Sequence, residues 1–322
     1  MEIGGVKITG TAALAPMAGV ADRAYRLICK EMGAAYLVSE MISAKGLCYG
    51  DRKTEELCTV DDRERPYALQ IFGDDEVYCG RAAGLLMKYK PDIIDINMGC
   101  PVPKIAGNGS GAALMKDIDR AYRIVRAAVR NSDVPVTVKI RAGWDGESIN
   151  APEFAAAMES AGAAAVTVHG RTKSQMYHGA ADRDVIRHVK EMVKIPVIGN
   201  GDIVSGETAG AMYRETGCDL IMVGRGSYGN PWVFREIGEA MGNEPLSPAP
   251  GLEERLKVML RQAELAVSFK GERVAMREAR RCCSFYLRGM KGAAAYRNRC
   301  AGLEKFSDLE RLAEEILRGE QQ

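Results

Sequence analysis

Cys100 is the residue best placed for chemistry. It stands in Asp95-Ile96-Asn97-Met98-Gly99-Cys100-Pro101, between an apolar run and the stretch Lys104-Ile105-Ala106-Gly107-Asn108-Gly109-Ser110-Gly111. A thiol on a Gly/Pro loop can serve as an acid or a nucleophile, and the glycines suggest a lid that closes over substrate. The ordinary fate of a cysteine is burial as an inert small hydrophobe; position on the loop sets Cys100 apart from the other eight cysteines. Lys139 interrupts the apolar run Val134-Pro135-Val136-Thr137-Val138-Lys139-Ile140, which ends in Arg141. An ammonium in such a run is costly to bury unless it faces an anion, so it points to developing negative charge in a ligand. Gln70 closes another run and offers both a donor and an acceptor to the N–C=O edge of a flat heterocycle; a capped strand end is the plainer reading. His169, in His169-Gly170-Arg171-Thr172, is placed to hydrogen-bond a ligand, whereas His178 and His188 carry no such signal.

Two glycine-rich turns form a further pair: Asn200-Gly201-Asp202-Ile203 and Gly224-Arg225-Gly226. Glycines let backbone N–H groups approach a phosphate, and a guanidinium adds charge-assisted hydrogen bonds. The stretch Ala15-Pro16-Met17-Ala18-Gly19 could admit a flat ligand, or could be a plain turn.

These residues need a scaffold that brings run ends together. Eight short apolar runs recur, at Ala13–Met17, Tyr36–Glu40, Tyr67–Phe72, Ile93–Asn97, Val134–Ile140, Ala164–His169, Ile195–Gly199 and Leu220–Gly224. Runs of this kind fit strands buried on both faces of a parallel sheet. Helical periodicity lies between them, as in Ile118–Arg130 and Pro152–Ala161. Eight strand–helix units predict a (β/α)8 TIM barrel, with an open doubly wound sheet as the alternative. In such a barrel the residues after each strand share one rim, and the last two loops commonly hold phosphate. The segment 242–251 contains three prolines and cannot continue a helix. It divides a barrel over residues 1–242 from a small all-helical domain over residues 251–322.

The 322 residues carry a net charge of +1, so bulk charge selects no partner. Its distribution does. Lys270, Arg273, Arg277, Arg280, Arg281, Arg288, Lys291, Arg297 and Arg299 face only Glu272 and Glu278 in the same stretch. A concentrated basic segment predicts a polyanion site. On a helix most of the five arginines from Arg273 to Arg288 would share a face. No apolar run is long enough to span a membrane and no leader peptide is read at the N-terminus. Nine scattered cysteines without CxxC spacing, and three histidines, point to reduced thiols and no metal site.

In this order the motifs resemble the tRNA-dihydrouridine synthase family, closest to its bacterial B-type branch. The resemblance rests on Leu14 to Val20, Asp95 to Pro101, Val138 to Arg141, His169 to Thr172, Gly199 to Ile203 and Gly224 to Gly226. It continues through Tyr286-Leu287-Arg288-Gly289 and Arg297-Asn298-Arg299. It implies reduction of uridines in tRNA to 5,6-dihydrouridine by an FMN enzyme that takes electrons from NADPH or NADH. Pro16, Met17, Ala18, Gln70, Lys139, His169, Asn200, Gly201, Asp202, Gly224 and Arg225 would hold FMN. Cys100 would be the proton donor, and Asn97 and Arg141 would line the substrate pocket. Arg273, Arg277, Arg281 and Arg288 would contact tRNA. The chain would be a cytoplasmic monomer. One departure stands in the tail: where many relatives have Lys-His and then Trp-Tyr pairs, this chain reads Arg280-Arg281-Cys282-Cys283-Ser284-Phe285-Tyr286. Two other readings remain open at this point: an FMN barrel acting on free pyrimidines or small enones, and a non-catalytic tRNA-binding protein.

Overall fold

In the computed structural model of the chain, which describes residues 1–320, a hairpin of β1 (Glu2–Ile3) and β2 (Val6–Lys7) precedes the sheet. The strands that follow are β3 (Ala12–Leu14), β4 (Tyr36–Val38), the short β5 (Ile42–Ser43), β6 (Tyr67–Phe72) and β7 (Ile93–Met98). After them come β8 (Val136–Arg141), β9 (Ala165–His169), β10 (Val197–Asn200) and β11 (Leu220–Val223). Parallel pairing runs β3–β4–β6–β7–β8–β9–β10–β11, and β11 pairs back onto β3. The sheet is closed, so the fold is the (β/α)8 barrel and not the open alternative. All eight apolar runs become barrel strands. Three of them end early: the first stops at Leu14, before Pro16, the second at Val38, and the eighth one residue short, at Val223. Pro16 has no N–H to give the ladder.

Side-chain alternation divides the strands into two sets. Leu14, Leu37, Leu69, Ile94, Ile96, Val136, Val138, Val166, Val168 and Ile221 pack outward in one core with Leu86, Ala128, Phe154 and Ile186 of the surrounding helices. Ala13, Tyr36, Val38, Ala68, Ile93, Ala165, Ile198, Leu220 and Met222 form a second core with Ile3 and Ile8. That second core is the barrel interior, and residues 3 and 8, in and just after the hairpin, plug its lower end. Continuing the inner set in steps of two, with the alternate residues of β8, gives Gln70, Asp95, Asn97, Thr137, Lys139, Arg141, Thr167, His169 and Asn200. The interior therefore changes from apolar to polar toward the carboxyl ends of the strands. Register holds these groups level: Gln70 pairs with Asp95, Asn97 with Lys139, and Arg141 with His169.

Helix Val233–Gly242 ends at Asn243, which is left-handed at φ 54°, and residues 243–251 carry no helix or strand. Four helices follow: Leu252–Lys270, Glu272–Tyr286, Ala293–Cys300 and Phe306–Glu320. Met259, Met276, Cys283, Tyr286, Leu303, Leu312 and Ile316 share a core with Ile28 and Trp232 of the barrel's helical shell. Polar ties reinforce this seam: Lys270 Nζ lies 2.6 Å from Asp22 Oδ2, and Trp232 Nε1 donates to Glu254 at 2.7 Å. Among the described residues no helix is long and apolar enough to cross a membrane, and no group of His, Cys, Asp and Glu could hold a metal ion.

Candidate active site

The carboxyl ends of the strands open on a cavity of about 370 Å³, within the size range of small-molecule and cofactor sites. Pro16, Met17, Ala18, Asn97, Cys100, Lys139, Arg141, His169, Asn200, Gly201, Asp202, Gly224 and Arg225 all line it. Gln70 does not line it, and its side chain is fully buried below. Met41, Tyr177 and Tyr228 are among the wall residues not singled out in the sequence. Met41 lies just past the second apolar run, where the rim rule would have found it. Tyr177 and Tyr228 lie deeper in loops and carry no positional signal.

Cys100 is held from below. Asn97 Oδ1 accepts from the N–H groups of Gly99, at 3.2 Å, and Cys100, at 2.9 Å. Arg141 Nε donates to Gly99 O at 2.8 Å, and its Nη1 donates to Thr172 O and Met176 O at 2.8 and 2.9 Å. The arginine thus ties the Cys100 loop to the loop after β9. The stretch after Cys100 is not an open flap: Pro103–Ala106 form a helical turn and Gly111–Lys116 a 3-10 helix. Ala112 N–H donates to Cys100 O at 3.1 Å, which pins the returning end. Burial raises the Cys100 thiol above its ordinary value, against the opposing pull of Val102 N–H, Arg141 and Lys139. The group stays a protonated thiol at neutral pH, the form a proton donor needs.

Cations dominate the cavity. Lys139 Nζ donates to Asn200 Oδ1 at 3.1 Å, while Asn200 Nδ2 donates to Met222 O at 2.7 Å. Asn200 is therefore oriented by β11 and turns its oxygen to the lysine. Burial lowers Lys139 to about 8, helped by nearby Arg141 and resisted by Asp95. Burial and then Lys139, Arg141, Arg171 and Arg225 push His169 down to about 2, so its ring is neutral. The neutral ring can donate from one nitrogen and accept at the other.

The turns after β10 and β11 touch. A Cβ on Gly226 would fall 2.1 Å from Ile203 O, so only glycine permits the approach. Gly201 sits at φ 133°, where a Cβ would meet Ala181. The Asp202 carboxylate is engaged by its neighbours: Arg171 Nη1 lies 2.8 Å from Oδ1, Ala181 N–H donates to Oδ2 at 2.8 Å, and Arg225 Nη2 is 3.5 Å away. Two guanidiniums against one carboxylate leave net positive charge. Arg225 also lies over the Tyr177 ring, 4.5 Å from its centroid.

The tail reaches the cavity edge through helix Glu272–Tyr286. Phe285 stacks on Tyr228 with ring centroids 4.9 Å apart, and the Arg288 guanidinium lies 4.6 Å from the centre of Phe285. Arg273, Arg277 and Arg281 are exposed at four-residue spacing on this helix. The shared face is smaller than the five arginines suggested. Arg280 turns inward and donates to Leu303 O at 2.9 Å, and Arg288 lies beyond the helix end at Tyr286. Arg281 Nη2 donates to Gly19 O, next to the cavity-lining Ala18.

Comparison with known proteins gives a consistent result. The family profile described as Dihydrouridine synthase (Dus) matches residues 13–320. The protein described as tRNA-dihydrouridine synthase B of Xanthomonas campestris pv. campestris is 39% identical over 297 residues, covering 92% of this chain and 90% of that protein. The protein of the same description from Pseudomonas aeruginosa is 38% identical over 297 residues, with the same coverage. Among solved structures, histamine dehydrogenase from Rhizobium sp. 4-9 shares the fold at 13% identity and a TM-score of 0.58. An amine oxidase from Pseudomonas geniculata N1 does so at 14% and 0.56. The matches cover 82% and 76% of this chain but only 50% and 52% of those longer chains.

The raised thiol has a direct consequence. Alkylation of Cys100 by iodoacetamide, followed by peptide mass spectrometry, should accelerate with pH and show its midpoint above the ordinary value of 9.0, because only the thiolate reacts. A midpoint below neutrality would contradict a protonated donor.

Proposed function

The chain belongs to the dihydrouridine synthase family, and on that premise we propose that it reduces uridines in tRNA to 5,6-dihydrouridine as an FMN enzyme supplied with electrons by NADPH. The observation that carries this reading is a thiol kept protonated in one cavity with a half-buried lysine. It is a cytoplasmic enzyme in this reading and acts as a monomer.

The residues present fit the cofactor. Among the described residues, the hydrogen bond of Lys139 is to a neutral amide. An electron-rich ring beside it would offset the cost of burying the ammonium. The cradle of residues 200–203 and 224–226, with net positive charge, suits a terminal phosphate. Pro16, Met17 and Ala18 would flank the ring, and neutral His169 would hydrogen-bond it. When bound, reduced FMN would supply the hydride that C6 of the uracil takes up.

The protein's own groups complete the reduction. As C6 gains hydride, negative charge develops across C5 and the C4 oxygen. The Cys100 S–H bond breaks, its proton forms the new C–H bond at C5, and the thiolate is reprotonated from water. Asn97 and Arg141 hold the loop that aims the thiol. The uridine must leave the tRNA stack to reach the cavity floor. Arg273, Arg277 and Arg288 are exposed on the tail, whose helix reaches the mouth through Phe285, and suit the tRNA backbone. Arg281 serves the barrel as well, through Gly19. A free pyrimidine would have no use for this cationic edge, which disfavours that alternative.

Two measurements test the reading. Arg225→Glu reverses the charge at the phosphate cradle and should purify with most of its flavin absorbance lost; a variant as yellow as the parent would remove the cradle from cofactor binding. Replacing Arg273, Arg277 and Arg288 together should weaken tRNA binding and reduce the slope of log affinity against log salt by about two to three, since each phosphate contact contributes roughly 0.7 to 0.9. Flavin content should be unchanged. Identical slopes for parent and variant would show that tRNA binds elsewhere.

A further inference from the structure

The barrel interior contains a carboxylate to which the reaction assigns no task. Asp95 is 3% exposed, and both of its oxygens are taken by neutral donors. Thr137 Oγ1 donates to Oδ1 at 2.6 Å, and Gln70 Nε2 donates to Oδ2 at 2.7 Å. From Gln70 the bonding continues upward: its Oε1 accepts from Asn97 Nδ2 at 2.9 Å. Asn97 Oδ1 in turn accepts from Gly99 N–H and Cys100 N–H.

The direction of this chain is set at its ends. A side-chain amide has one accepting and one donating end, and a carboxylate only accepts. Asp95 therefore forces Gln70 to point its NH2 downward and its oxygen upward. That oxygen forces Asn97 to point its NH2 toward Gln70 and its own oxygen toward the Cys100 loop. At the top, two backbone N–H groups can only donate, so every link is satisfied. Turning either amide over would set donor against donor or oxygen against oxygen in a buried site, at a cost like that of leaving those groups unpaired.

We propose that Asp95 is a positioning residue for Cys100, acting through the Gln70 and Asn97 amides to hold the Gly99–Cys100 backbone where the thiol meets substrate. The proposal rests on Cys100 being the proton donor. It also gives Gln70 a task suited to its burial: its amide transmits orientation from Asp95 to Asn97.

A double-mutant cycle separates positioning from general stability, because residues that act as one unit lose activity non-additively. The set is Asp95→Leu, Asp95→Asn, Cys100→Ala and Asp95→Leu/Cys100→Ala, each assayed with tRNA and checked for flavin absorbance. Asp95→Leu should lower kcat by about 10- to 100-fold, the scale of an ångström misplacement, with KM for tRNA and flavin content unchanged. In the Cys100→Ala background the same substitution should cost nothing further. Asp95→Asn can still turn an oxygen to Gln70 and its NH2 to Thr137, and should recover most of the loss. An equal loss in both backgrounds, or no loss in the parent background, would overturn the proposal. If Cys100→Ala alone is as active as the parent, the proton-donor reading fails on its own. The alkylation rate of Cys100 then decides: a rate altered by Asp95→Leu supports positioning, and an unaltered one overturns it. Should Asp95→Leu not fold, Gln70→Met breaks the next link at similar volume and carries the same cycle.

Discussion

An ammonium group inside a barrel, bonded to an amide and not to a carboxylate, is the constraint from which the rest of the site follows. Lys139 touches Asn200 at 3.1 Å, and Arg141, Arg171 and Arg225 stand around the same cavity. Asp202 is the carboxylate at its wall, and it is already engaged by Arg171. Such an excess of positive charge in a concave site is unfavourable until an anion arrives. Burial and this charge together keep His169 neutral and lower Lys139, and the charge suits a ligand that is itself anionic. The Cys100 thiol escapes ionisation in this cationic field because burial outweighs the attraction of Arg141 and Lys139. One cavity thus holds cations for developing charge and an acid still carrying its proton.

Strand alternation builds this arrangement. In Val136-Thr137-Val138-Lys139-Ile140-Arg141 each apolar residue packs outward under the helices, and each polar one enters the barrel. Ile94-Asp95-Ile96-Asn97-Met98 and Val166-Thr167-Val168-His169 repeat the pattern. Parallel register sets the inward residues of neighbouring strands side by side, so Gln70, Asp95 and Thr137 form one level, with Asn97 and Lys139 above it. The tail reaches the same end of the barrel: Phe285 on Tyr228 and Arg281 on Gly19 put its basic helix against two loops at the cavity edge.

The barrel was legible because eight runs of Val, Ile and Leu recur with helices between them, and the rim rule then placed Cys100, Lys139, His169 and both glycine turns in one cavity. Other features were out of reach for physical reasons. The hairpin and β5 are two residues per strand, too short to show a period. Gln70 closes a run as a cofactor ligand would, but whether an amide faces a cavity or a buried carboxylate is decided by its neighbour across the sheet, and Asp95 is 25 positions away. Arg280 and Arg281 are adjacent in sequence yet serve different surfaces, because one residue of helix turns a side chain by roughly 100°. The inner polar levels had a signal in the strict apolar–polar alternation of β7, β8 and β9, but those runs read as uniformly apolar when only their hydrophobic members are counted.

The most direct test of the account is the reaction itself. Unmodified tRNA incubated with purified protein and NADPH should gain the mass of two hydrogen atoms at particular uridines, mapped by nuclease digestion and mass spectrometry. The same assay with Cys100→Ala should proceed about 10² to 10⁴ times more slowly, the loss expected for a general acid, with flavin still bound. Dihydrouridine formed at the parent rate by the alanine variant, or none formed by the parent with tRNA and NADPH present, would contradict the account.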